Sequence, residues 1–134
     1  MPDFNFPIRV YYEDTDSGGV VYHSQYLNFM ERTRTEWLRN LGFEQDALRE
    51  EYKCIFVVKR IEIDFIKPAR FNDALVVSTH LKKAMFASFL LTQSIIHQKT
   101  NELLCKAEIK IAAVYPDIFK PRRIPELILK GIKK

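Results

Sequence analysis

Hydrophobic residues recur at spacings of three and four along one long stretch of this chain. The stretch covers residues 24–41 and includes Leu27 and Met30. Such spacing places the apolar side chains on one face of an α-helix. Ser24 is the expected N-cap, and Gly42, just beyond the last apolar residue, is the expected stop. The apolar face of this helix needs a second layer to cover it.

Alternating apolar and polar positions predict five β-strands that supply this layer. The predicted strands cover residues 6–12, 55–65, 74–82, 86–97 and 103–115. The later strands have short connections, so they are expected to pair as neighbours in sequence order. In the second strand, Ile55 and Val57 are expected on the same face as Ile61 and Ile63. A short polar helix over residues 44–52 and a short apolar end over residues 127–132 complete the pattern. The prediction is one α+β domain, a five-stranded antiparallel sheet around one helix.

Composition is consistent with a single soluble domain over residues 1–134, with 47% hydrophobic and 28% charged residues. No signal peptide or membrane-spanning stretch is visible, so a cytoplasmic protein without stable membrane insertion is expected. Cys54 and Cys105 are far apart and are expected to be buried thiols in a reducing compartment. The net charge of +4 is concentrated in a basic C-terminal part. It can attract phosphates or serve only as a solvated end.

Potential chemistry is concentrated in residues 14–37, which begin with two acids and a glycine pair. A calcium loop starting at Asp14 is excluded, because Gly18 and Gln25 occupy positions where that loop needs ligands. No zinc site is predicted, since the histidines and cysteines lack ligand spacing. Walker and dinucleotide glycine motifs are absent, and the basic residues lack the aromatic interleaving typical of nucleic-acid binding.

A triad of Ser24, His23 and Asp16 lacks a nucleophile-elbow pattern to support it. From the residues alone, Asp16 is either a turn former before the helix or a catalytic carboxylate. Gly18 and Gly19 either turn the chain or let its backbone approach a ligand closely. His23 is likewise either a side chain near the helix cap or a substrate contact.

Three segments carry a family resemblance: residues 11–38, which contain the DTDSGG motif, residues 56–73 and residues 120–125. Together they resemble acyl-CoA thioesterases of the 4-hydroxybenzoyl-CoA thioesterase type, and most of all the bacterial subgroup encoded beside the Tol–Pal envelope system. This resemblance implies the hotdog fold, in which a sheet wraps around the helix. It also implies a homo-oligomer, a dimer or a dimer of dimers, with active sites at subunit interfaces.

The resemblance implies that Asp16 is the catalytic carboxylate and that His23 provides a backbone N–H for the thioester oxygen. The implied substrate-binding residues are Gly19, Val20, Tyr22, Lys120, Arg122 and Arg123. Arg60, Arg70, Lys82 and Lys83 are further basic candidates for the CoA phosphates. No cofactor is implied, because CoA is part of the substrate.

The implied reaction is hydrolysis of a short-chain or aromatic acyl-CoA to the free acid and CoA. Asp16 would act as nucleophile or as general base, and free carboxylates are weak bases at neutral pH. The alternative is a binding module for an acyl carrier protein or an envelope partner, with weak thioesterase activity. An acidic carrier protein would suit the basic C-terminal part as well as CoA does.

Overall fold

The computed structural model describes residues 3–133, in which a five-stranded antiparallel sheet wraps around one long helix. The strands are β1 (Phe4–Arg9), β2 (Ile55–Phe65), β3 (Ala74–Ala84), β4 (Ser88–His97) and β5 (Leu103–Val114). The helices are α1 (His23–Asn40), α2 (Gln45–Tyr52) and α3 (Glu126–Lys133). The predicted α+β hotdog fold is confirmed.

The strand order in the sheet is β1-β3-β4-β5-β2. Pairing in sequence order is right for β3, β4 and β5, but wrong for β2, which lies at the far edge and pairs with β5. The connection over residues 66–73 must therefore cross from one side of the sheet to the other. It is held to the segment before α1, because the Val21 amide donates to the Ala69 carbonyl at 2.8 Å. The crossing brings the end of β2 to the start of α1.

A β-bulge interrupts β2 at Lys59, since Val58 pairs with Ile111 and Arg60 already pairs with Lys110. An extra residue reverses which side chains face inward. The predicted common face for Ile55, Val57, Ile61 and Ile63 is therefore wrong. Before the bulge, the inward face carries Phe56 and Val58.

The core lies between α1 and the inner face of the sheet. Most of its fully buried members come from the middle of α1 and from three central strands, and Leu48 of α2 and Ile124 add to them. The largest are Phe29, Met30, Trp37, Leu75, Phe89, Leu91, Ile95 and Ile109. Burial of each such side chain stabilises the fold by about 1.5–3 kcal/mol before the entropic cost of ordering it. Ile128 and Ile132 of α3 are buried as well.

The start of the chain differs from the prediction, because β1 ends at Arg9 and a 3₁₀ turn covers Tyr12–Asp14. The turn forms because the Asp14 carboxylate accepts a hydrogen bond from the Tyr11 amide at 2.8 Å. Helix α1 ends as predicted, with Gly42 at φ +98°. It begins one residue earlier than predicted. The N-cap is Tyr22, without a side-chain capping bond, so the expected capping role of Ser24 is wrong.

Candidate active site

The segment before α1 folds back on itself as a tight hairpin. Thr15 and Val21 form an isolated β-bridge, and the Asp16 amide donates to the Val20 carbonyl at 2.9 Å. The Gly19 amide closes the turn by donating to the Asp16 carbonyl at 3.0 Å. Gly19 has φ +79°, a conformation that favours glycine. The hairpin positions Asp16 a few residues before the helix start.

The two acids of the motif have different environments. Asp14 is buried, and its backbone carbonyl also accepts from the Tyr22 amide at 3.1 Å. It therefore holds the segment to the start of α1. Asp16 is exposed, and its Oδ1 accepts from the Gly18 amide at 2.8 Å. A carboxylate accepts more than one hydrogen bond, so Asp16 keeps oxygen lone pairs directed to solvent.

The first turn of α1 supplies the second element of the site. His23 is the first helical residue. The amides of His23 and Ser24 lie in the first turn, where the helix contains no carbonyl four residues earlier that could accept their hydrogen bonds. Tyr22 provides no side-chain cap for them. Unpaired amides and the positive end of the helix dipole favour a developing negative charge.

An open depression of about 260 Å³ adjoins this first turn. Its walls come from the helix start, from the end of β2 and from the crossing connection. The lining residues are Val21, His23, Tyr26, Phe65, Ile66, Lys67 and Pro68. The His23 ring lies 6.3 Å from the Phe65 ring, edge to face. The depression is mainly apolar, as a site for an acyl group requires.

Tyr26 is a structural residue of the site that the sequence pattern alone did not identify. Its hydroxyl accepts a hydrogen bond from the Ala69 amide at 2.9 Å, and the residue is buried. Burial raises the pKa of Tyr26, and the bond from Ala69 opposes this. The Tyr26 and Phe65 rings are 5.5 Å apart. Tyr26 thus ties the crossing connection to the first turn of α1.

The predicted basic residues lie at the other end of the sheet. Phe65, near His23, pairs with Cys105, whereas Val114 forms a bridge with Pro121. Cys105 and Val114 are separated by nine residues of β5, or about 30 Å at 3.3 Å per residue. The segment of residues 120–123, here called the basic loop, is thus far from His23 within one protomer. The structure groups Asp16, Gly19, Val20, Tyr22 and His23, and separates them from Lys120, Arg122 and Arg123.

Arg122 is engaged within its own chain. Its guanidinium donates to the carbonyls of Tyr52 and Arg123, and it lies 5.5 Å from the Tyr115 ring centroid. Lys120 and Arg123 are exposed. A test of CoA binding is therefore cleaner at Lys120 and Arg123, since substitution of Arg122 also removes contacts that hold α2 to the basic loop.

Among the further basic candidates, Arg70 lies beside the site, because it forms an isolated β-bridge with Val20 of the hairpin, whereas Arg60 and Lys82 lie within β2 and β3. Lys82 pairs with Glu108 at 2.9 Å, and Arg60 pairs with Glu62. These pairs lie on the outer face of the sheet.

Both thiols are poor candidates for a nucleophile. Burial raises the pKa of the Cys105 thiol to about 12 and also raises the pKa of Cys54. Reactive cysteines need the thiolate form, so both residues are protonated packing groups at neutral pH.

Among residues 3–133, no group of three His, Cys, Asp or Glu side chains is placed to hold a metal ion. Within the same part of the chain, no helix is long and apolar enough to span a membrane.

Comparisons with known proteins identify the family of this chain. The model of the thioesterase-like superfamily matches residues 10–132. The acyl-CoA thioesterase YbgC of Haemophilus influenzae is 46% identical over 92% of this chain and 89% of its own length. The acyl-CoA thioester hydrolase YbgC of Escherichia coli O6:H1 is 43% identical over 98% and 96%. The crystal structure of a probable thioesterase from Bartonella henselae superposes with a TM-score of 0.87 at 38% identity, covering 92% of this chain and 100% of that one. The chain belongs to the thioesterase-like superfamily of thioester hydrolases.

Proposed function

We propose that this protein hydrolyses acyl-CoA thioesters, with Asp16 as the catalytic carboxylate and the first turn of α1 as the oxyanion site. The observation that carries the proposal is the difference between the two acids. Asp14 is buried and holds the segment in place, whereas Asp16 is exposed and retains free oxygen lone pairs. The names of the similar YbgC proteins support the acyl-CoA class of substrate.

The helix start stabilises the charge that the reaction creates. When the thioester carbonyl is attacked, its oxygen gains negative charge. Fixed N–H donors stabilise that charge without reorganising, and removal of one such donor typically costs about 10²–10³ in kcat. The amide of His23 fits this role because it lies in the first helical turn beside the apolar depression.

Asp16 completes the reaction by one of two balanced routes. In the first, its carboxylate oxygen attacks the carbonyl carbon, the C–S bond breaks to release CoA, and water hydrolyses the resulting anhydride. In the second, Asp16 takes a proton from a water molecule that attacks the carbon, and the same C–S bond breaks. Hydrolysis in ¹⁸O-labelled water under single-turnover conditions separates them. Only the first route places ¹⁸O in the Asp16 carboxylate, when water attacks the Asp16 carbon of the anhydride, whereas the second route places ¹⁸O in the product acid.

The acyl group is proposed to be short or aromatic and to occupy the depression beside His23. Its volume of about 260 Å³ and its walls of Val21, Phe65 and Pro68 suit a compact apolar group. A series of acyl-CoA substrates of increasing chain length, with benzoyl-CoA beside them, tests this. We expect kcat/KM to fall when the chain outgrows the depression.

The separation of the basic loop from Asp16 supports a homo-oligomeric site. Strand β2 is an edge strand of eleven residues, whereas the other edge, β1, has six residues and contains Pro7. Long open edges are usually covered. Antiparallel pairing of two β2 strands about a two-fold axis would place the partner subunit's Ile55 beside Phe65. The partner subunit's basic loop would then adjoin the site at His23.

Charge reversal in the basic loop is expected to weaken substrate binding. The variant Lys120→Glu/Arg123→Glu should raise KM for acyl-CoA about tenfold or more while kcat changes little. The CoA phosphates lose the same two cationic partners in the bound substrate and in the transition state, so the barrier between these two states stays the same. Steady-state kinetics with one acyl-CoA measures both parameters. Lys99→Glu/Lys110→Glu, at exposed positions outside the basic loop, is the matched charge control. An unchanged KM in the basic-loop variant would remove both residues from the site.

Replacement of His23 by Ala is expected to have a modest effect. The proposed donor is the backbone N–H, which Ala retains, so kcat should fall by no more than about tenfold through altered packing near Phe65. Stopped assays of CoA release give kcat directly. A loss as large as that of an Asp16 variant would shift the role to the imidazole.

The second candidate function is binding of an acyl carrier protein. The exposed side chains of Lys120, Arg123, Lys130 and Lys133 favour it, since they give residues 120–133 an excess of positive charge. Steady-state kinetics with the same acyl group attached either to CoA or to an acyl carrier protein distinguishes the two candidate functions. A kcat/KM at least about tenfold higher for the carrier-bound acyl group would favour the carrier-protein function.

A further inference from the structure

The turn between β5 and the basic loop displays an aromatic side chain to solvent. Phe119 directly precedes Lys120 and is 63% exposed. None of the ring–ring contacts found among residues 3–133 includes it. A single exposed apolar side chain is ordinary in a protein, so exposure alone does not assign a role to this ring. The backbone of Phe119 is the more informative feature.

The backbone of Phe119 adopts a conformation that is unfavourable for a bulky residue. Its φ is +53°, in the left-handed region. Among residues 3–133, the other residues besides glycine with positive φ are Lys53, Asn72 and Asn101. Asn tolerates this region, and Lys53 is the C-cap of α2, where it is common. An aromatic residue at such a φ is strained. Strain of this kind is concentrated at functional sites and ligand clamps.

Hydrogen bonds fix the turn that carries Phe119. The Phe119 amide donates to the Tyr115 carbonyl at 2.9 Å, and the Tyr115 amide donates to the Lys120 carbonyl at 3.0 Å. Pro121 then forms a β-bridge with Val114. The exposed ring therefore stands on a backbone that is already held in place. A ligand that contacts such a ring does not have to order the loop, which is an advantage for affinity.

The turn contains a second aromatic ring, and that ring already has a partner. The Arg122 guanidinium lies 5.5 Å from the centroid of the Tyr115 ring. Phe119 is thus the ring of this turn that is available to a ligand. Lys120 is exposed beside it and takes part in none of the ion pairs found among residues 3–133. The two Cα atoms are about 3.8 Å apart, as for any consecutive residues.

We propose that Phe119 is a stacking platform for the adenine ring of CoA. This inference rests on the proposed acyl-CoA thioesterase function and concerns the end of the substrate farthest from the thioester. In CoA, the adenine and the 3′-phosphate are attached to the same ribose, so a ring next to a phosphate-binding Lys120 is within reach of the base. Stacking on an aromatic side chain uses the π-face of the base and needs no hydrogen bond. In the proposed dimer, Phe119 belongs to the subunit that supplies the basic loop.

This role makes Phe119 a residue that distinguishes CoA from an acyl carrier protein. Both molecules present the acyl group on a pantetheine arm, but the carrier protein has no adenine. Loss of the ring should therefore weaken binding of CoA and of acyl-CoA, and it should leave substrates without the nucleotide unaffected. A residue with only a structural role in the turn would affect both kinds of substrate alike.

Replacement of Phe119 by Leu removes the ring and keeps an exposed apolar side chain. Phe119→Leu should raise both the Kd for CoA and the KM for acyl-CoA about tenfold, within the range measured for loss of one base-stacking side chain. The kcat/KM for the corresponding acyl-pantetheine should stay unchanged. Phe119→Tyr keeps a ring and should bind CoA as the wild type does. Phe86→Leu, at an equally exposed phenyl group in the turn between β3 and β4, is the matched control.

Calorimetric titration with CoA measures the Kd without turnover, and steady-state kinetics gives the other parameters. Unchanged CoA binding in folded Phe119→Leu would overturn the platform. An equal loss in Phe86→Leu, or an equal loss with acyl-CoA and acyl-pantetheine, would also overturn it, as would wild-type protein that does not bind CoA. The proposed function fails separately, if the wild type binds CoA but does not hydrolyse acyl-CoA.

Discussion

Asp16→Asn should lose nearly all turnover of acyl-CoA, with kcat lower by about 10³-fold or more. General acid–base catalysis typically contributes about 10²–10⁴-fold, and loss of a nucleophile costs more. The amide of Asn neither attacks the thioester carbon nor takes a proton from water at neutral pH. Release of the CoA thiol, followed with a thiol reagent, measures the rate.

The fold should survive this substitution. The side-chain oxygen of Asn can accept from the Gly18 amide as Oδ1 of Asp16 does, and the position is exposed. The variant should therefore unfold at the wild-type denaturant concentration and still bind CoA. Glu13→Gln removes one charge from an exposed position of the same segment, and it should keep activity within about threefold of the wild type. Substantial hydrolysis by folded Asp16→Asn would show that another group performs the chemistry.

Mixing two impaired variants should restore activity at low substrate concentration. One variant is Asp16→Asn, and the other is Lys120→Glu/Arg123→Glu. In a mixed dimer, one site takes Asp16 from the charge-reversed subunit and an intact basic loop from the Asp16→Asn subunit. Random mixing gives about half of the dimers this composition, so a quarter of all sites combine both intact parts. The recovered activity should have the wild-type KM.

This complementation depends on the separation of the two regions within one protomer. Phe65 and Val114 lie at opposite ends of the β2–β5 pair, about 30 Å apart. If the site used both regions of the same chain, no mixed dimer could contain an intact site. The control mixes Asp16→Asn with wild-type protein, in which activity should follow the wild-type fraction. Mixtures of the two variants that showed only the sum of the separate activities would contradict a shared site.

Much of the fold follows from local patterns in the sequence. Helix α1 covers His23–Asn40 where spacing predicted residues 24–41, and Gly42 ends it as expected. Strands β3, β4 and β5 lie where alternation predicted them, because one face of each packs on the core. A turn was one of the two interpretations of the DTDSGG motif, and the structure contains a tight turn there, closed by Gly19 at φ +79°.

Other features depend on contacts between distant residues and could not be predicted from local patterns. The edge position of β2 is stabilised by pairing with β5, and the bulge at Lys59 changes which side chains face inward. Arg122 looks like a free cation in the sequence, but its guanidinium reaches the carbonyl of Tyr52, seventy residues earlier. Arg34 belongs to the periodic face of α1, yet its partner Gln93 comes from β4. The residues next to Arg122 and Arg34 in the sequence do not indicate these contacts. The role of each side chain depends on a partner that is distant in the sequence.

The candidate site likewise combines features that follow from local sequence with features that depend on distant contacts. The motif itself contains Asp16 and the helix start, so their proximity is local. The motif alone does not show which of its two acids, Asp14 or Asp16, keeps its carboxylate available to a substrate. That distinction depends on Asp14, whose carbonyl accepts from Tyr22 and whose carboxylate accepts from Tyr11. The support from Tyr26 depends on the crossing connection. The Ala69 amide of that connection donates to the Tyr26 hydroxyl, although the two residues are forty-three positions apart in the sequence.

The most direct test of the account is the rate of CoA release by the purified wild-type protein, measured for butyryl-, octanoyl- and benzoyl-CoA in parallel with Asp16→Asn. The account predicts catalytic, saturable hydrolysis of at least one short or aromatic acyl-CoA by the wild type, and its near-complete loss in the folded variant. No CoA release above the buffer rate by the wild type, or equal release by the two proteins, would contradict it.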